Sequence, residues 1–158
     1  MAKILRQTEM RRIIMRKDLI SEMIYEEDDE KVKAFLAECD DDELYVFAYN
    51  YTWGNGFDIP AVIINNPCCS LSTALLVFYR ADGYSFLLDK EADTDLVPWH
   101  TFVSDVYTRI INGDYKPSDV AFVPPLTKVQ LFKLKKQLNK NEEVLITAID
   151  GKNCDIDI

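Results

Sequence analysis

Signals that begin and end helices recur at short intervals along this chain, and they restrict it to short and medium helices. Asp40 followed by Glu43, and Thr127 followed by Gln130, have the spacing of capping boxes. Glycine and proline end the helices between them, with Gly83 expected as the left-handed residue after the helix at 71–82. We therefore predict a mainly α fold, a compact single-domain bundle of about six helices over residues 1–158.

Between these signals, apolar side chains recur three and four residues apart, which is the spacing of a helix with one buried face. The predicted helices cover residues 8–27, 28–39, 40–53, 59–66, 71–82, 98–112 and 127–138. In the last helix, the side chains expected to face the core are Val129, Leu131, Phe132, Leu134 and Leu138. Residues 144–149 are rich in β-branched side chains, so a short C-terminal strand or hairpin stays open as an alternative to helix.

Composition excludes several classes of protein. The chain of 158 residues has a formal net charge of −9 and a pI near 4.6, which argues against phosphate-backbone binding as its main activity. The N-terminal residues lack the apolar stretch of a secretion signal, and no apolar run is long enough to cross a membrane. Four cysteines without a secretion signal indicate reduced thiols. We therefore expect a cytoplasmic protein that binds neither membrane nor nucleic acid.

The negative charge is concentrated in one part of the sequence. Residues 26–43 contain ten acidic side chains and two lysines, whereas residues 1–20 and 121–141 are net basic. A concentrated negative surface accelerates encounter with a cationic protein. The predicted partner-binding acids are Glu26, Glu27, Asp28, Asp29, Glu30, Asp40, Asp41, Asp42 and Glu43.

Tyr45 and Tyr49 are the predicted aromatic anchors of this surface. They lie four residues apart and off the apolar stripe that contains Leu44 and Phe47. Tyrosine is enriched among the residues that contribute most to binding at protein interfaces. We therefore expect both side chains to reach solvent or a second interface.

Catalytic and metal-binding motifs are missing from the sequence. There is no phosphate-binding glycine loop, no nucleophile elbow, no zinc-protease motif and no calcium-binding loop. His100 is the single histidine, and its position at a predicted helix start is typical of a packing or surface residue. Cys68 and Cys69 precede a predicted helix, whose dipole would favour a thiolate, so a thiol-dependent enzyme remains an alternative. No cofactor or metal is expected.

Four segments in the middle of the chain resemble a known bacterial family. Residues 50–60 read NYTWGNGFDIP, residues 66–70 NPCCS, residues 73–76 TALL and residues 81–84 ADGY. Together they make residues 44–88 similar to the domain-of-unknown-function family numbered 4274. The resemblance carries no catalytic motif, and it implies a bacterial accessory protein of the kind that accompanies polymorphic toxins.

These observations favour a non-enzymatic protein-binding domain. The expected function is that of an immunity protein, which neutralises a basic toxin domain through the acidic surface. The expected partner is a basic protein, and the chain itself is expected to be a monomer or weak homodimer. Two alternatives stay open, namely a thiol-dependent enzyme using Cys68 or Cys69, and a self-associating helical module with a structural or regulatory role.

Overall fold

The computed structural model describes residues 16–91 and 95–158, and this part of the chain is mostly helical. Buried side chains from successive helices join in one hydrophobic cluster. The described residues contain no β-sheet, and three isolated β-bridges are the only strand-like pairings among them. The predicted mainly α fold is therefore confirmed.

The helices follow one another with short connections. In chain order they are α1 (residues 16–24), α2 (Asp29–Ala37), α3 (Asp41–Asn50), α4 (Asp58–Asn65), α5 (Leu71–Arg80), α6 (Gly83–Leu88), α7 (Val97–Ile111) and α8 (Lys128–Gln137). Two 3₁₀ segments lie at Trp53–Asn55 and Lys140–Ile146.

Helix α5 lies at the centre of the fold. Its residues from Ser72 to Phe78 are all buried, and the helix packs against α3, α4, α6 and α7. The polar side chains of a helix that is buried on every side must form their hydrogen bonds within the protein. The Ser72 hydroxyl donates a hydrogen bond to the Val120 carbonyl at 2.6 Å. The segment after α7 therefore completes the surroundings of α5.

The two capping boxes that we identified in the sequence form as predicted. Asp40 with Glu43, and Thr127 with Gln130, make reciprocal capping boxes at the starts of α3 and α8. Each box satisfies backbone N–H groups that a helix start leaves unpaired. Ser70 stands at the N-cap position of α5, as its place before the predicted helix at 71–82 indicates, but its hydroxyl makes no capping hydrogen bond and is buried without a partner.

Several helix ends differ from the prediction by one to three residues. The helix predicted over residues 8–27 ends at residue 24, and its first part lies outside the described residues. After α5 the left-handed residue is Asp82, with φ of 58°, and Gly83 begins α6. A Cβ atom at Gly83 would collide with the buried ring of Phe78, so close packing explains this glycine.

The C-terminal strand is also absent from the described residues. Residues up to Ile146 form a 3₁₀ segment, and Ile149 makes a single antiparallel bridge with Phe122. The β-branched side chains of residues 144–149 therefore pack without a sheet. Leu145 is fully buried, and the Tyr79 hydroxyl donates to its carbonyl at 2.5 Å.

The predicted core side of α8 is partly wrong. Leu134 is buried, and Leu131 and Leu138 are half-buried. Val129 and Phe132 are instead 64% and 60% exposed. Both lie on the opposite side of the helix from Leu134. They stay exposed because only the side of α8 that includes Leu134 contacts the core.

Glu142 is a buried carboxylate that joins three parts of the fold. Tyr107 on α7 donates a hydrogen bond to its Oε2 at 2.6 Å, and Lys90 Nζ lies 2.9 Å from the same atom. The backbone N–H of Asn139 donates to Oε1. Burial raises the pKa of Glu142, but these hydrogen bonds outweigh it and hold the pKa below the usual value.

We predict that Glu142→Gln lowers the free energy of unfolding near pH 7 by about 2 kcal/mol, because it removes the charge that pairs with Lys90. Because the pKa of Glu142 is lower in the folded protein than in the unfolded chain, its charge stabilises the fold at pH values above the unfolded pKa of about 4.3. This stabilisation is lost as the pH falls through the folded pKa. The difference between variant and wild type should therefore shrink with acidification. Urea unfolding across the acid range measures it, with exposed Glu143→Gln as the control. A difference independent of pH would contradict the account.

Candidate partner-binding surface

The predicted acidic surface divides into two groups. Residues 26–30, which we call the acidic loop, connect α1 to α2 and form the first turn of α2. Residues 40–43 begin α3. The two groups differ in what their carboxylates contact, so they offer a partner different chemistry.

The acidic loop faces solvent. Asp28 caps α2 by accepting from the Glu30 N–H, and the Glu26 carboxylate accepts from the Asp28 N–H. Residues 27–30 are exposed, and the side chain of Glu30 is 85% exposed even though Lys33 lies 3.5 Å away. These local contacts hold the backbone and leave the carboxylates accessible to a partner.

Tyr25 lies directly beside the acidic loop, and sequence reasoning missed it. It is a turn residue just after α1 and is 81% exposed. The sequence did contain a signal, since Tyr25 precedes the acidic run and lies outside the apolar stripe that includes Ile20 and Ile24. Its large, exposed ring adds an aromatic group to the negative surface.

The acids at the start of α3 are mostly bound within the molecule. Asp42 pairs with Lys152 at 2.6 Å, and Glu43 pairs with Arg16 while also completing the cap with Asp40. These pairs connect α3 to α1 and to the C-terminal residues. They line a groove of about 610 Å³, together with the ion pair between Lys17 and Asp155.

Asp41 has the most extensive internal contacts of the predicted acids. Its Oδ1 accepts from the Ser70 N–H at 3.1 Å and from the Thr73 hydroxyl at 3.0 Å, and its Oδ2 accepts from the Ser118 hydroxyl at 3.2 Å. One carboxylate therefore joins the start of α3, the start of α5 and the segment after α7. This arrangement gives Asp41 a structural role.

Tyr45 and Tyr49 lie apart from the acidic loop. Tyr45 is only 9% exposed, and burial raises the pKa of its hydroxyl. Tyr49 is half-buried beneath Arg80, whose guanidinium carbon lies 4.4 Å from the ring centroid. Both tyrosines line a groove of about 470 Å³ with residues of α5 and of the segment at 122–125. Of the two expected environments, solvent or a second interface, solvent is therefore not that of Tyr45.

The cysteine and histidine environments disfavour thiol chemistry at Cys69. Cys69 is buried, and burial raises the pKa of its thiol to about 12, so the reactive thiolate is scarce at neutral pH. Cys68 is half-buried and donates its N–H to the Asn66 side chain. His100 contacts the Lys90 carbonyl and packs against the ring of Phe86, as a packing histidine does.

Residues 16–91 and 95–158 contain no group of three or more histidine, cysteine or acidic side chains arranged to hold a metal ion. None of their helices combines the length and apolar character needed to cross a membrane.

We predict that Asp41→Ala lowers the free energy of unfolding by about 3 kcal/mol, because it leaves three hydrogen-bond donors around α5 without their acceptor. Urea unfolding followed by circular dichroism measures the change. Asp105→Ala, at an exposed position on α7, serves as the control. A loss no larger than that of the control would contradict the structural role of Asp41.

Comparison with known proteins identifies the middle of the chain. Residues 39–111, from the end of α2 through α7, match the family described as Domain of unknown function (DUF4274). Searches of curated proteins and of solved structures return no match. The match contains the whole of residues 44–88, where the resemblance was predicted, so that prediction is confirmed. Residues 39–111 of this chain are thus similar to the DUF4274 family.

Proposed function

We propose that this chain is a non-enzymatic protein-binding domain whose acidic loop, together with Tyr25, binds a basic protein. The observation that carries the proposal is the adjacency of an exposed aromatic ring and a row of exposed carboxylates. The other acids predicted for this surface contribute less, because Asp41, Asp42 and Glu43 are engaged in internal contacts.

Electrostatics supports a cationic protein as the partner. Five acids in succession produce a local negative potential that attracts positive charge over a distance of about 8–10 Å at physiological ionic strength. Such fields mainly increase association rates and select against partners of the same sign. We therefore assign the acidic loop to partner encounter and orientation.

Tyr25 supplies the apolar contact that charge alone does not provide. Charged groups at the edge of an interface remain hydrated, and their net contribution to affinity is small. A tyrosine ring that becomes buried on binding contributes apolar area and loses few rotamers. Tyr25 thus takes the anchor role that the sequence assigned to Tyr45 and Tyr49.

The proposed biological role is that of a cytoplasmic immunity protein that neutralises a toxin domain. A toxin that acts on nucleic acid needs a positive surface for phosphate, and an acidic protein is suited to cover it. A toxin-like gene immediately upstream of this one would favour the role, whereas an unrelated metabolic operon would count against it. The alternative of a thiol-dependent enzyme has less support at Cys69, which is buried with a raised pKa, and stays open at the half-buried Cys68.

We predict that Glu27→Lys/Asp29→Lys/Glu30→Lys slows association with the cognate basic toxin domain that the proposal requires by roughly tenfold or more, and weakens its salt dependence. All three positions are exposed, so folding should be unaffected. Biolayer interferometry at several salt concentrations measures both quantities.

The matched control reverses three exposed acids far along the chain, in Asp105→Lys/Asp114→Lys/Glu143→Lys. It changes the net charge equally but leaves the acidic loop intact. If both triple variants slowed association equally, the net charge of the chain, and not the acidic loop, would account for the interaction. Unchanged affinity and salt dependence of the first variant would overturn the proposed site.

We predict that Tyr25→Ala accelerates dissociation of the same complex by roughly tenfold, with little change in association rate, because an anchor acts after encounter. Val97→Ala removes apolar surface at another exposed position, 63% exposed on α7, and should leave both rates unchanged. Equal dissociation rates for wild type and Tyr25→Ala would remove Tyr25 from the interface.

A further inference from the structure

Helix α8 presents an apolar strip to solvent. Val129 and Phe132 lie three residues apart on one face and are 64% and 60% exposed. The opposite face, which includes buried Leu134, is the one that contacts the core. Neighbouring large apolar side chains that remain exposed on a folded helix mark a site of interaction.

Lysines surround this apolar strip. Lys133 and Lys136 follow Val129 and Phe132 by four residues, so the four side chains share one face, which we call the basic α8 face. The ammonium of Lys136 lies 4.3 Å from the centroid of the Phe132 ring. Residues 121–141 contain five lysines and no acid. The basic α8 face therefore fits an acidic partner that carries an apolar group.

The acidic loop has the complementary chemistry, since it combines exposed carboxylates with the exposed ring of Tyr25. The two surfaces lie at opposite ends of a series of helix contacts. Helix α2 packs on α4, α4 on α5, α5 on α7, and α7 on the 3₁₀ segment that follows α8. One copy therefore presents an acidic surface between α1 and α2 and a basic surface on α8.

We propose that the basic α8 face binds the acidic loop of a second copy of this chain. Phe132 and Tyr25 provide the apolar contact, and the lysines pair with the carboxylates. At about 0.1 M salt, screening over about 10 Å weakens repulsion between distant charges of the two acidic copies, while charges in contact still attract. The proposal goes beyond the function proposed above, since it requires no other protein.

Light scattering and sedimentation equilibrium test the proposal on the full chain at protein concentrations up to about 1 mM, a range suited to weak association. We expect concentration-dependent association at about 0.1 M salt and its loss at about 1 M, where the screening length is about 3 Å. Phe132→Ser should weaken association by roughly tenfold without changing charge. Val97→Ser, also on an exposed helix face, should not.

A charge exchange tests the pairing itself. Lys133→Glu/Lys136→Glu and Glu27→Lys/Glu30→Lys should each reduce self-association, and an equimolar mixture of the two variants should restore it. The lysine variant should still bind the basic partner protein, whereas the acidic-loop variant should lose both interactions, so the two proposals fail separately. Circular dichroism checks that each variant is folded.

Three results would overturn the proposal. The first is a monomer at every concentration and salt, and the second is a mixture of charge variants that does not associate. The third is binding of phosphatidylserine vesicles that depends on Phe132 and Lys136 in a chain that does not self-associate. That result would assign the basic α8 face to a membrane surface.

Discussion

Helix α5 is buried on every side, and the neighbouring segments are arranged around its hydrogen-bonding and packing requirements. Residues from Ser72 to Phe78 have no access to solvent that would hydrate a polar group, so neighbouring segments must supply each hydrogen bond. The Val120 carbonyl accepts from Ser72, and the Asp41 carboxylate accepts from Thr73. At the other end of α5, the ring of Phe78 leaves no space for a side chain at Gly83. Close packing and hydrogen bonding to buried polar groups together hold the neighbouring segments against α5.

This constraint separates the framework of the molecule from its interaction surfaces. Residues 39–111, which match DUF4274, contain α5 and the four helices packed against it. The acidic loop with Tyr25 precedes these residues, and α8 follows them. In this chain the matched residues therefore include the central packing arrangement, and the proposed binding residues are side chains outside them. Substitutions in the loop or on α8 can change partner preference at little cost in stability, because these positions are exposed.

Local signals were predictable from the sequence, whereas features that depend on distant residues were not. The capping boxes at Asp40 and Thr127 form as predicted, because each involves side chains only three residues apart. The buried position of Tyr45 and the exposed position of Phe132 depend on which elements cover those helix faces. The role of Asp41 depends on Ser70, Thr73 and Ser118, which lie 29 to 77 residues away. A run of acids in the sequence therefore identified a charged region without separating structural carboxylates from accessible ones.

Amide hydrogen exchange of the complex tests whether partner binding uses the acidic loop and Tyr25. The chain would be compared alone and saturated with the cognate basic toxin domain that the proposal requires. We expect slower exchange in residues 25–31, where the loop and the first turn of α2 become covered, and unchanged exchange in α5, which is already buried. Slower exchange confined to the groove at Tyr45 and Tyr49, with residues 25–31 unchanged, would contradict the claim.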